Sequence, residues 1–97
     1  MRHNWTPEDD VIAFYLYRCE SKSDVRGIPF SFAQIVAKRG MPVSSLRRRI
    51  DNFEFLDTGK PKGASHYAPH KSKPVYEQYK NASCDSLRSE VIRILGR

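Results

Sequence analysis

Three consecutive arginines, Arg47 to Arg49, are the residues of this chain best suited to a defined chemistry. A guanidinium group can hold two phosphate oxygens at once, or the O6 and N7 atoms of guanine, so arginines on an exposed helix suit the major groove of DNA. Ser44 and Ser45 precede them, where hydroxyl and backbone N–H groups could approach a phosphate. This pattern predicts contact with double-stranded DNA.

The candidate DNA-binding residues are basic or hydrogen-bonding side chains in the centre of the chain. They are Lys38, Ser44, Ser45, Arg47, Arg48, Arg49, Asn52, Lys60, Lys62, His66, Lys71 and Lys73. Some of these residues could instead have a structural role within the fold. Arg47 could pair with Asp51 four residues on, and the stem of Arg49 could pack along the core edge. Asn52 lies near a helix end, where an Asn side chain more often bonds local backbone than a base or phosphate.

The distribution of charge supports the same prediction. The 97 residues carry a formal net charge of +6 with 17 Lys and Arg against 11 Asp and Glu. Residues 38–73 hold nine basic and three acidic side chains, which accounts for the entire excess. Clustering of this kind is the electrostatic footprint of a surface that binds a polyanion, whereas charge kept for solubility need not cluster.

Other chemistries find little support in the sequence. His66 and His70 are spaced four apart, but no C-x2–4-C pair accompanies them, so we expect no metal site. Near a phosphate, either histidine could instead be a pH-sensitive contact. No glycine-rich phosphate loop, paired carboxylates or nucleophile–base arrangement is recognisable, so we expect neither a cofactor nor enzyme activity.

The residues before position 42 carry strong sequence signals for two helices. Thr6 can cap a first helix, Pro7 suits its first position, and residues 8–10 place acidic side chains at the positive end of its dipole. A buried stripe follows at helical spacing: Val11, Ile12, Tyr15, Leu16 and Cys19. Ser31 and Gln34 form a capping box for a second helix, and Gly40 can end it.

The third helix is predicted from about Val43 to Phe55. Leu46, Ile50 and Phe53 recur at i, i+4 and i+7 as its buried side. Its opposite side carries Ser44, Arg47, Arg48 and Asp51, with Ser45 and Arg49 on the flanks. Two helices joined by a short glycine-containing turn, the second rich in arginine, are typical of a helix-turn-helix.

The rest of the chain is predicted to complete an all-α single domain over residues 1–97. Residues 5–56 form its tri-helical core and residues 57–72 a long basic loop, in which no apolar alternation supports a hairpin. Residues 73–97 contribute one or two C-terminal helices: a short one capped by Ser72, and one from about Asp85 to Leu95. On the last helix Leu87, Val91, Ile94 and Leu95 could either close the core or form the face of a homodimer.

Composition bounds the cellular setting. The longest apolar run, Val11 to Tyr17, is far shorter than the ~20 residues of a membrane span. Acidic residues 8–10 stand where a secretory signal needs an apolar core. Cys19 and Cys84 are far apart without paired-ligand spacing, which argues against a disulfide and favours a reducing compartment. We therefore expect a cytoplasmic, nucleoid-associated protein with no membrane partner.

Residues 40–59, which include Asn52-Phe53-Glu54-Phe55-Leu56-Asp57, resemble a bacterial and phage DNA-binding-type module often appended N-terminally to HNH restriction-type endonucleases. The helix containing Phe14-Tyr15-Leu16-Tyr17, the loop Lys62-Gly63-Ala64-Ser65 and the aromatic segment Val75-Tyr76-Glu77-Gln78-Tyr79 extend the likeness over residues 5–80. The resemblance implies a helix-turn-helix-like fold that helps deliver a larger protein to DNA. It implies no nuclease activity, because residues of an HNH nuclease do not follow.

The expected function is therefore non-enzymatic binding of double-stranded DNA, as in a small bacterial or phage transcription regulator. The alternative is a protein–protein interaction module, for example a phage protein whose basic face meets an acidic host partner. The two hypotheses differ in one observable, since only the first requires salt-dependent binding of duplex DNA.

Overall fold

The computed structural model describes residues 4–59 and 71–96, which form five α-helices and no β-strand. The helices are α1 (Pro7–Cys19), α2 (Phe32–Arg39), α3 (Val43–Thr58), α4 (Lys73–Tyr79) and α5 (Cys84–Leu95). The predicted all-α class is confirmed. None of the helices in the described ranges is long and apolar enough to cross a membrane.

The helix ends follow local chemistry. The Thr6 Oγ1 atom accepts from the Asp9 N–H at 3.2 Å, and the Asp9 carboxylate accepts from the Thr6 N–H at 3.1 Å, so α1 opens with a reciprocal capping box. Ser31 and Gln34 form the same arrangement on α2. Gly40 ends α2 in the left-handed conformation with a φ of 66°, which glycine adopts without steric cost.

The core is built around α1. Its six consecutive residues Val11 to Leu16 are all buried, and α3, α4 and α5 all pack against this helix. Leu46, Ile50 and Phe53 of α3 are buried as predicted. The Phe14 and Phe53 rings lie 5.3 Å apart between centroids, so an aromatic contact joins α1 and α3.

The structure contradicts the interpretation of the cysteines. Cys19 at the end of α1 and Cys84 at the start of α5 form a disulfide, with Cα atoms 5.8 Å apart. The sequence does not reveal the pair, because the two cysteines are separated by 65 positions and come together only through the packing of α5 on α1. The expectation of two reduced thiols was therefore wrong.

The C-terminal helices also differ from expectation. Helix α3 continues three residues beyond Phe55, so the predicted basic loop begins at Gly59 rather than Asp57. Ser72 does not cap α4 through its side chain, because its buried hydroxyl accepts a hydrogen bond from Arg49.

The apolar residues of α5 close the core. Each of these side chains is almost fully inaccessible to solvent in the isolated chain. Of the two alternatives, closing the core or forming a dimer face, the structure therefore shows the first. The side chains are those of Leu87, Val91, Ile94 and Leu95. Their burial gives no support to a homodimer through these side chains.

Candidate nucleic-acid interface

The outward side of α3 carries the predicted polar and basic residues. Ser44, Arg47 and Arg48 are exposed, while Leu46 and Ile50 on the other side are buried. Ser45 lies at the flank and is half-buried. The amphipathic pattern read from the sequence therefore oriented α3 correctly.

Aromatic rings support two of the exposed cations. The Arg47 guanidinium lies over the Phe32 ring at 5.8 Å, and the Lys38 ammonium lies over the Phe30 ring at 5.4 Å. Ring faces attract cations without cancelling their net charge. Between described residues, neither Arg47 nor Lys38 takes part in an ion pair with a carboxylate. The α2–α3 surface thus keeps its positive charge and holds it in defined positions.

Arg49 has a different role from its two neighbours. Its Nη1 atom donates to the Ser72 hydroxyl at 3.1 Å and lies 3.4 Å from the Asp10 carboxylate, and its guanidinium lies 4.6 Å from the centre of the Trp5 ring. Only 16% of its side chain is exposed. These contacts do not support the predicted DNA contact of Arg49, because its guanidinium joins α1, α3 and the start of α4.

Asp10 is the unusual member of this buried group. Burial raises its pKa from 3.8 to about 6, although the neighbouring Arg49 charge and a hydrogen bond with Ser72 both act to lower it. The carboxyl group therefore changes its protonation close to neutral pH. Nothing in the local sequence marks it, since Asp10 looks like an ordinary first-turn carboxylate.

A second arginine of the basic segment is also used inside the fold. The Arg39 Nε atom donates to the fully buried Asp9 carboxylate at 2.7 Å, and its Nη2 atom lies 3.9 Å from Glu8. The acidic start of α1, interpreted as complementing a helix dipole, therefore also anchors the end of α2 and the middle of α3. This pairing reduces the positive charge that the central segment presents to solvent.

Asn52 is not available to DNA. It is 4% exposed on the inner side of α3, and none of the described residues donates a hydrogen bond to its buried Oδ1 atom. This burial gives no support to a DNA contact at Asn52, and the unpartnered Oδ1 atom gives none to the alternative of a bond to local backbone. Helical rotation places Asn52 about 100° from Phe53, on the same flank of α3 as Ser45 and Arg49, so the spacing along α3 does not by itself predict this burial.

The remaining candidates fall in two groups. Lys71 and Lys73 are exposed at the start of α4. Lys60, Lys62 and His66 lie outside the described residues, as does His70. Among the described residues no cluster of His, Cys, Asp or Glu could hold a metal ion. On α2 and α3, the exposed candidates are Lys38, Ser44, Arg47 and Arg48.

The end of α3 is held by a contact that sequence reasoning missed. The Asp57 carboxylate accepts from the Tyr17 hydroxyl at 2.6 Å and from the Tyr76 hydroxyl at 3.1 Å. Burial and the neighbouring carboxylate both raise the pKa of Tyr17, so its hydroxyl remains a donor. These bonds join α1, α3 and α4 at the point where the predicted basic loop leaves the helix.

Comparisons of the chain with protein-family models, with curated proteins and with solved structures found no match. The resemblance to the module of HNH restriction-type endonucleases therefore stays a prediction from the motif at residues 40–59.

Proposed function

We propose that this chain binds double-stranded DNA without catalysing a reaction, and that the exposed side of α3 enters the major groove. The observation that carries the proposal is the contrast between neighbouring arginines. Arg39 and Arg49 are neutralised by buried carboxylates, whereas Arg47 and Lys38 lie on aromatic rings and keep their charge for an external anion.

The proposed roles follow from position along α3. Ser44 lies in the first turn, where its hydroxyl and the free N–H groups of the helix can meet a phosphate. Arg48 is the candidate for reading a base edge, since it is exposed midway along the helix. Lys38 and Arg47 contact phosphates on either side. A small bacterial or phage regulator would use such a face.

Fluorescence anisotropy with a labelled duplex tests the proposal. We expect log K to fall linearly with log salt, with a slope of about −0.9 for each phosphate neutralised. Arg47→Ala should reduce the magnitude of this slope by about 1 and weaken all sequences equally. Arg48→Ala should cost roughly 1–3 kcal/mol and relax sequence preference, which can be measured by selection from a random DNA pool.

Arg93→Ala is the matched control, because it removes the same charge from α5, where Arg93 pairs with Glu90. It should bind DNA nearly as tightly as the unaltered chain. Equal loss in the Arg93 and Arg47 variants would show that only net charge matters. Unchanged binding by the double variant Arg47→Ala/Arg48→Ala, or no duplex binding at low salt by a folded sample, would refute the proposal. A captured acidic protein with no DNA shift would favour the interaction-module alternative.

A further inference from the structure

A cleft of about 510 Å³ opens between the start of α1, the middle of α3 and α4. Its volume is within the range of sites that bind small molecules in proteins. The lining combines flat or apolar side chains with polar ones, namely Trp5, Asp10, Arg49, Lys71, Pro74 and Gln78.

The cleft is separate from the proposed DNA-binding face. Arg49 contributes to the wall of the cleft. Arg47 precedes it by two residues on α3, so the two side chains are about 200° apart around the helix axis. The two surfaces therefore face different directions. A ligand of the cleft would leave the outward side of α3 uncovered.

Flat groups make one wall of the cleft. The Trp5 indole is half-buried and has the Arg49 guanidinium at 4.6 Å from its ring centre, and Pro74 adds an apolar ring at the mouth. Indole and guanidinium planes are the side chains on which nucleobases commonly stack. The Gln78 amide and the Asp10 carboxyl offer hydrogen bonds to a ring that carries amino and carbonyl groups.

The charge in the cleft favours an anion. Asp10 and Arg49 form a pair, so their charges offset each other. Lys71 is exposed and adds an ammonium group at the edge of the same cleft. A ligand that fits both features has a flat heterocycle and a phosphate.

We propose that this cleft binds a nucleotide, with its base against Trp5 and its phosphate at Lys71. The same chemistry is offered by a free nucleotide and by an unpaired nucleotide at a DNA strand end. Binding of a free nucleotide does not depend on the proposed function of α3, so the two proposals can fail separately.

Trp5 is the sole tryptophan of the chain, so its fluorescence reports directly on the cleft. Adenosine monophosphate is the first probe, titrated into the full chain with excitation where adenine does not absorb. We expect a saturable change in fluorescence. Lys71→Met should weaken binding about tenfold, because it removes a charge-assisted contact with the phosphate. By calorimetry, Trp5→Leu should weaken binding by about tenfold or more, through loss of stacking.

Lys73→Met is the matched control, because Lys73 is exposed two residues after Lys71, at the start of α4, and does not line the cleft. Its affinity for adenosine monophosphate should equal that of the unaltered chain. The strand-end source is tested with a DNA hairpin carrying a single-stranded overhang, compared with a blunt hairpin. That arm uses the Arg47→Ala/Arg48→Ala background, which removes the proposed groove contacts.

If adenosine monophosphate binds and Lys71→Met weakens that binding, the proposal is supported with a free nucleotide as the ligand. If the monophosphate does not bind but the overhang hairpin is preferred over the blunt one, and Lys71→Met removes this preference, the proposal is supported with a strand end as the ligand. The proposal is overturned if neither probe changes Trp5 fluorescence in a folded sample. Equal weakening by Lys71→Met and Lys73→Met would also overturn it. So would binding of inorganic phosphate as tight as that of the monophosphate, since the base would then contribute nothing.

Discussion

Reduction of the Cys19–Cys84 disulfide should remove a large part of the stability of this domain. The bond closes a loop of 65 residues and joins the end of α1 to the start of α5. In the chain-entropy account, restricting an unfolded loop of that length stabilises the native state by about 4 kcal/mol at 25 °C. A domain of this size has a total unfolding free energy of about 5–15 kcal/mol, so the reduced protein should be marginally stable.

Urea unfolding with and without dithiothreitol measures the effect. With a urea dependence of about 1.5 kcal/mol per molar, the midpoint should fall by about 3 M on reduction. The double variant Cys19→Ser/Cys84→Ser is the control: it should unfold like the reduced chain and should not respond to dithiothreitol. The slope should be steeper without the bond, because the unlinked unfolded chain exposes more surface.

Two results would refute this reasoning. Titration of two free thiols in native protein purified without reductant would show that the cysteines are unpaired. A midpoint that reduction leaves within about 0.5 M of its starting value would show that the loop restraint contributes little. In that case the packing of Leu87 and Val91 against α1 would alone hold α5 in place.

Two further perturbations test the buried polar contacts. Burial raises the pKa of Asp10 from 3.8 to about 6, so its ionisation opposes folding above that pH and this cost disappears as the pH falls below about 4. The test compares the unfolding free energy of the unaltered chain with that of Asp10→Asn at neutral and at acid pH. On acidification the unaltered chain should gain about 3 kcal/mol relative to the variant. If the difference between the two unfolding free energies is the same at both pH values, the pKa of Asp10 is not raised. A Cβ atom at Gly27 would lie 2.6 Å from the Glu20 Oε2 atom and 2.8 Å from the Tyr15 hydroxyl, so Gly27→Ala should cost roughly 1–3 kcal/mol in urea unfolding. An unchanged urea midpoint would mean that the segment around Glu20 moves to accommodate the methyl group without a loss of stability.

Local signals in the sequence predicted the helices well. The capping residues Thr6 and Ser31 and the stop at Gly40 act on neighbouring backbone groups, so a few adjacent residues are enough to place these ends. The end of α3 was placed three residues early, because no strong stop signal precedes Gly59.

The candidate site could be predicted only in part. Helical periodicity correctly placed Arg47 and Arg48 outward, since the direction of a side chain depends on its position along one helix. The same pattern could not reveal that Arg49 has Asp10, Ser72 and Trp5 as partners, because each of them comes from another element.

By itself, therefore, the sequence determined the all-α class, the basic segment and the outward side of α3, all of which depend on residues close together in the chain. The tertiary structure decided which cations remain charged toward solvent, which carboxylates neutralise the others, and where the Trp5 cleft lies. It also decided that Cys19 meets Cys84 and that the apolar side of α5 is buried. These outcomes depend on how α1 is surrounded by the other helices, and distances between elements cannot be calculated from the spacing of residues along the chain.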